Sequence, residues 1–178
     1  MCGRKVSDSS LPRAGAWLAW RSWADVPTDP NALYDNSFGL EIFDEKPTLT
    51  GHFLNRDFPV LPPVSASNLV DPGVFAKLGR WAASGALRFV WFDLPRRTWA
   101  PPRAGERSYP APLRSLAHPR GRPELRGQSM LRVQRANAVL DQVLALIAVA
   151  EAAGPHWAMA HAARSLLWRD NGVVDVLR

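Results

Sequence analysis

The arginines of this chain carry its most legible chemistry. Between Pro95 and Arg126 stand Arg96, Arg97, Arg103, Arg107, Arg114, Arg120, Arg122 and Arg126, against only Glu106 and Glu124. That surplus equals the whole formal charge of +6, so the remainder of the chain is neutral. A guanidinium stays protonated and presents five donors in a planar fork that matches phosphate. A basic run on a neutral body is the footprint of a polyanion partner, which points to nucleic acid. Trp99 and Tyr109 stand among the arginines, where aromatic rings can stack on exposed bases. The same stretch holds seven prolines, which equally suit an open, solvated linker with its aromatics packed beneath it. Arg96 and Arg97 differ from the others because they follow directly on an apolar run, Phe89-Val90-Trp91-Phe92, that ends at Asp93-Leu94-Pro95. At such a place they either line a site or pair with Asp93, and pairing is the expectation.

Other chemistries find less support. Cys2 is the only cysteine, which excludes an intramolecular disulfide and a cysteine-based zinc site. His156, His161 and Asp170 lack the spacing of metal ligands, and His52 and His118 are isolated, so no metal is expected. No segment reaches the ~20 uninterrupted apolar residues of a membrane span. The N-terminal "MCGRKVSDSSLPR" has no apolar core behind its charges. The expectation is an intracellular protein with no membrane contact, nuclear if it binds DNA.

The elements that must position these residues alternate. Residues 1–37 read as a tryptophan-rich extension in which Trp17, Trp20 and Trp23 share one face of a short helix ending before Pro27. From 38 onward the pattern predicts a strand over Phe38–Phe43 and a helix opening at Pro47 with Leu49, Phe53 and Leu54 inward. A second strand is expected over Phe58–Leu61, then a helix capped by Asp71 and closed by Gly85, and a third strand over Leu87–Asp93. After a basic loop spanning 95–128, Ser129 caps the longest helix, and Gly154-Pro155 stops it. Trp157–His161 then reads as a fourth strand, and the stretch Ala163–Asp170 as helix. Strict alternation argues for an α/β domain with a mostly parallel sheet and helices on both faces. A sheet of four strands leaves an edge through which the chain can self-associate.

Three strand ends are informative together: "GLEIFDEKPTLTG" at 39–51, "WFDLPRRTWA" at 91–100 and "PHWAMAHAARSLLW" at 155–168. In this order and spacing they resemble the cytosine-5 DNA methyltransferase fold. They look most like the reduced methyltransferase-like domains carried by DIRS-type retroelements. The resemblance covers roughly residues 38–168. Leu40 to Phe43 match a first strand whose turn would receive S-adenosylmethionine, and Pro95, Trp99 and Arg103 match the third strand's exit. The stretch Ser165–Trp168 matches a downstream Ser-x-Leu-Trp. By this resemblance the fold is a Rossmann-like, truncated methyltransferase domain, and Phe43, Asp44, Glu45, Asp93 and Pro95 would border the cofactor.

The departures matter as much. Asp44-Glu45 replaces the Ser-Gly expected after the first strand, and no acid follows the second strand until Asp71. Arg96 stands where the family has its cysteine nucleophile. Ala160-His161-Ala162 replaces Glu-Asn-Pro, whose glutamate holds the base. A guanidinium cannot attack a pyrimidine ring. The resemblance therefore implies a catalytically inactive relic, without S-adenosylmethionine unless its pocket is intact. Such a relic would bind nucleic acid through Arg96, Arg97, Trp99, Arg103, Arg114, Arg120, Arg122 and Arg126. Two alternatives stand beside it. One is amino-methyl transfer that uses Asp93 with Trp99 swung inward. The other is a decayed retroelement reading frame with no selected role.

Overall fold

A computed structural model describes residues 20–28, 30, 38–43, 45–100 and 112–178. Four parallel strands form one sheet in the order β2-β1-β3-β4. They are β1 (Phe38–Phe43), β2 (Val64–Ser65), β3 (Leu87–Asp93) and β4 (His156–Ala160). The helices are α1 (Leu49–Leu54), α2 (Pro72–Ala83), α3 (Gly127–Ala153) and α4 (Asn171–Val176), with 3-10 turns at Ala66–Val70 and Leu166–Arg169. The predicted α/β class and parallel sheet are therefore present.

Registers explain the layers. Leu40 lies beside Val90 and Ile42 beside Phe92, so these four point to one face. All are buried there with Leu78 and Trp81 of α2 and Val143 and Ile147 of α3. The alternate residues of β3, Phe89 and Trp91, point to the other face, where Phe53 of α1 meets Phe89 at a ring separation of 6.2 Å. The first face carries two long helices and the second only a six-residue one among the described elements. That difference accounts for Phe89 and Trp91 remaining half-exposed. At β1 the sheet needs glycine: a Cβ on Gly39 would lie 3.1 Å from Val60 Cγ1 and 3.2 Å from Phe58 Cε1.

α2 begins as its sequence dictates. Asp71 accepts from Gly73 N (2.8 Å) and Val74 N (3.0 Å), and Pro72 stands at the first helical position. Gly85, at φ 76°, follows its end. α3 ends at Gly154, at φ 98°. It is long and apolar enough to cross a membrane. However, Val133, Ala136, Val139, Leu140, Val143, Leu146, Ile147 and Ala150 are buried in this domain, as in a core helix.

Five expectations are corrected. The second strand is not Phe58–Leu61. Phe58 N donates to Phe53 O at the end of α1, and Pro59 has no N–H, so only an isolated bridge between Gly39 and Val60 forms. Regular pairing resumes beyond Pro62-Pro63, at Val64–Ser65. The first helix starts at Leu49, two residues after Pro47, and leaves Leu54 exposed. α3 starts at Gly127 rather than after Ser129, with Arg126 O accepting from Met130 N. The stretch Ala163–Asp170 is not one helix: a 3-10 turn spans Leu166–Arg169, and the short α4 follows because Asp170 caps it by accepting from Gly172 N. Over Trp20–Val26 the chain is a turn rather than a helix, since the Asp25 carboxylate captures Ser22 N (2.9 Å). Trp17 lies outside the described residues. Trp20 nevertheless docks on the domain, its ring 5.9 Å from both Phe38 and Trp81.

Candidate functional site

β1 and β3 are neighbours at the centre of the sheet, and the chain leaves them toward opposite edges. In open parallel sheets the crevice at that reversal, outside the strand C-termini, is where ligands bind. At the end of β1 the Glu41 side chain is buried. Its carboxylate accepts from Thr48 N (2.8 Å), Leu49 N (3.0 Å), Thr50 N (2.6 Å) and Thr50 Oγ1 (2.7 Å). One strand residue thus satisfies the orphan amides of α1, a helix too short to stand alone. Burial opposes the charge, but the hydrogen bonds from Leu49, Thr50 and Thr48 outweigh it and hold the Glu41 carboxyl below its usual range. Phe43 is half-buried at the strand end, and Asp44 lies outside the described residues. Glu45 is exposed and pairs loosely with Arg97 at 3.7 Å, bridging the exits of β1 and β3.

At the exit of β3, Arg96 Nη2 donates to Asp93 Oδ1 at 3.1 Å, the pairing expected from the sequence. Pro95 O lies 3.4 Å from His161 Nε2, and His161 meets the ring of Trp168 edge-on at 6.2 Å. Parallel pairing sets Asp93 beside Ala160. The three strand ends singled out in the sequence thus converge. What they assemble at β3 and β4 is an ion pair and an aromatic contact. Among the described residues no cluster of three or more His, Cys, Asp or Glu is suited to a metal ion.

The basic loop separates into core and surface. Trp99 and Arg114, both expected to touch nucleic acid, are 1% exposed, and this corrects that expectation. The Arg114 guanidinium lies 3.5 Å above the Trp99 ring. It donates to Pro119 O (2.6 Å), Asn137 Oδ1 (2.8 Å), Thr98 Oγ1 (3.3 Å) and Val133 O (3.5 Å). Burial, reinforced by the charge of Arg120 and opposed by Asp170, lowers it to about 10, so it stays charged at neutral pH. Arg120 grips Asp170 through Nε (2.6 Å) and Nη2 (3.2 Å) and reaches Asp141 on α3 through Nη1. The Asp170 bonds, with Asp141 assisting against partial burial, raise Arg120 above its ordinary value. Arg120 is thus an internal clamp between α3 and α4. Arg122 pairs with Glu124, and Arg126 donates to Pro123 O and Leu125 O of its own turn. Arg103 and Arg107, with Tyr109, lie outside the described residues. The close seating of this segment shows at Gly121 (φ 120°), where a Cβ would lie 2.6 Å from Val133 Cγ1.

The charges left facing solvent gather elsewhere. A groove of about 480 Å³ opens beside the β3 exit, with Pro95, Leu113, Ala136 and Val139 as its apolar lining. Arg97, Arg132 and Arg135 border it, and none of its described lining residues is acidic. Arg132 and Arg135 are exposed and make no ion pair among the described residues. The basic segment read from the sequence ends at Arg126 and so misses both. Their signal is present in the chain: three residues apart at the start of a helix, they share a face beside the buried Val133 and Ala136. Three guanidinium groups over an apolar floor suit an anionic ligand with flat or apolar parts.

Comparison with family models, curated proteins and solved structures returns no match to this chain.

Proposed function

We propose that this chain is a non-catalytic, Rossmann-like domain of the methyltransferase type that binds nucleic acid. The observation that carries the binding reading is the groove bordered by Arg97, Arg132 and Arg135 with no carboxylate among its described lining residues. The methyltransferase relation rests on the three strand-end motifs and is supported by their convergence at one end of an all-parallel sheet.

The departures from the motif support the loss of chemistry. Arg96, at the nucleophile position, is held by Asp93. That pair also speaks against amino-methyl transfer, because it engages the acid that would orient an amine. S-adenosylmethionine does not fit these residues. Glu45 stands at the glycine position and pairs with Arg97 across the crevice. Asp71, the first acid after β2, is committed to capping α2.

The test is fluorescence polarisation with labelled single-stranded DNA, its duplex and an RNA hairpin over a salt series. Three phosphate contacts predict a log K against log salt slope of about −2 to −3. The triple variant R97Q/R132Q/R135Q should bind more weakly and with a flatter slope, by about one per lost contact. No binding at low salt, or a triple variant indistinguishable from the parent, would overturn the proposal.

A further inference from the structure

A second groove, of about 800 Å³, shares no described lining residue with the arginine groove. One wall is the turn Ser115–Ala117 and the other the stretch Ala163–Arg169. Leu116, at 72%, is the most exposed large apolar side chain among the described residues. It is not there through looseness. Ser115 and His118 exchange two backbone bonds, Ser115 N to His118 O (3.3 Å) and His118 N to Ser115 O (3.1 Å), and His118 N also reaches Ser115 Oγ. Arg114, buried immediately before the turn, anchors it on Trp99. The opposite wall is tied to the same residue, with Leu166 N (2.9 Å) and Ser165 Oγ (3.3 Å) donating to Trp99 O. Both walls are thus fixed to one buried tryptophan, and the groove is preformed, which spares a ligand the cost of ordering it.

The contents define the occupant. Leu116 and the half-buried Trp168 supply apolar surface, and the Trp168 indole N–H is already spent on Ala162 O (2.8 Å). Arg164 and Arg169 are exposed and make no ion pair among the described residues, and no described lining residue is acidic. Apolar floor and cationic rim together complement an apolar side chain flanked by carboxylates. A second copy of a chain with net charge +6 would bring like charge to this rim. Nucleic acid would find one half-buried ring, Trp168, beside a leucine and alanines, where single strands need successive stacking rings.

We propose that this groove docks a short acidic peptide segment of a partner protein, with an apolar side chain between Leu116 and Trp168 and carboxylates on Arg164 and Arg169. This does not depend on the nucleic-acid reading. The experiment is selection from a displayed random-peptide library on the full chain. The selected sequences are then measured as synthetic peptides against the parent, L116D, R164E/R169E and R132Q/R135Q, each verified as folded by circular dichroism.

The expected winners carry aspartate or glutamate around a leucine or aromatic residue. L116D and R164E/R169E should each weaken them about tenfold or more, the scale of an interface hot spot. R132Q/R135Q should leave them unchanged, and replacing the acids by lysine should restore binding to R164E/R169E. Winners without acidic residues, or affinity unchanged in L116D and R164E/R169E, would overturn the proposal. So would oligonucleotide binding lost in R164E/R169E, which would give the groove to nucleic acid. Self-association abolished by L116D would give it to a second copy.

Discussion

Arg114 and Arg132 lie eighteen positions apart in sequence and do opposite work. Arg114 is enclosed, stacked on Trp99 and hydrogen-bonded to carbonyl, amide and hydroxyl oxygens. Arg132 stands in water at the rim of a groove. The segment Pro112–Arg126 spends its charge internally, on Asp170, Asp141, Glu124 and backbone carbonyls. The first turns of α3 leave theirs unpaired. A count of arginines therefore overstates the binding surface of the loop and understates that of the helix. The difference is one of partners: a guanidinium becomes structural where the chain returns enough acceptors to replace water.

That contrast can be broken by substitution. The largest effect is expected at the enclosed residue. Arg114→Ala removes a desolvated cation–π contact and strands four acceptors, and should cost about 2–5 kcal/mol in urea unfolding. Arg114→Lys should recover only part of this, since an ammonium cannot stack flat while reaching the same acceptors. Next comes the clamp. Asp170→Asn weakens both the Arg120 pair and the α4 cap, and should cost about 1–3 kcal/mol by the same measurement.

Glu41→Gln should cost about 1–2 kcal/mol at neutral pH, because a neutral amide is a weaker cap for three amides and a hydroxyl. Glu41 also sets a pH signature. Its folded-state pKa is lowered, so its contribution is complete above the ordinary glutamate value of 4.5 and is lost as pH falls through the lower folded value. The parent should lose stability over that acidic window, and E41Q should show a flatter profile there. At the other extreme, Arg132→Gln and Arg135→Gln should change stability by no more than about 0.5 kcal/mol. A large loss of stability at these two would show that they too belong to the core.

How much of this is legible in the sequence follows the same division. Periodicity and caps placed β1, α2, β3 and α3 because each carries a strong local signal: alternation or a long apolar run, Asp71-Pro72 at a start, Gly154 at an end. β2 escapes such signals because strand pairing is a property of two segments, and Pro59 and Pro62-Pro63 decide which amides remain to pair. Of the site, the Arg96–Asp93 pair could be read from spacing alone. The burial of Trp99 and Arg114 could not, since their acceptors Asn137 and Val133 come from a helix 19 or more positions away. Nor could the clamp of Arg120 on Asp170, which closes across 50 positions.

The capping of α1 by Glu41 has a consequence in time. Six residues of helix have little tendency to persist alone, and here the amides at its start bond to a carboxylate rooted in the central strand β1. The amide protons of Thr48, Leu49 and Thr50 should therefore exchange with solvent chiefly when helix and strand part company. A short surface helix usually frays and exchanges quickly; this one should keep its first amides protected nearly as long as the sheet itself survives.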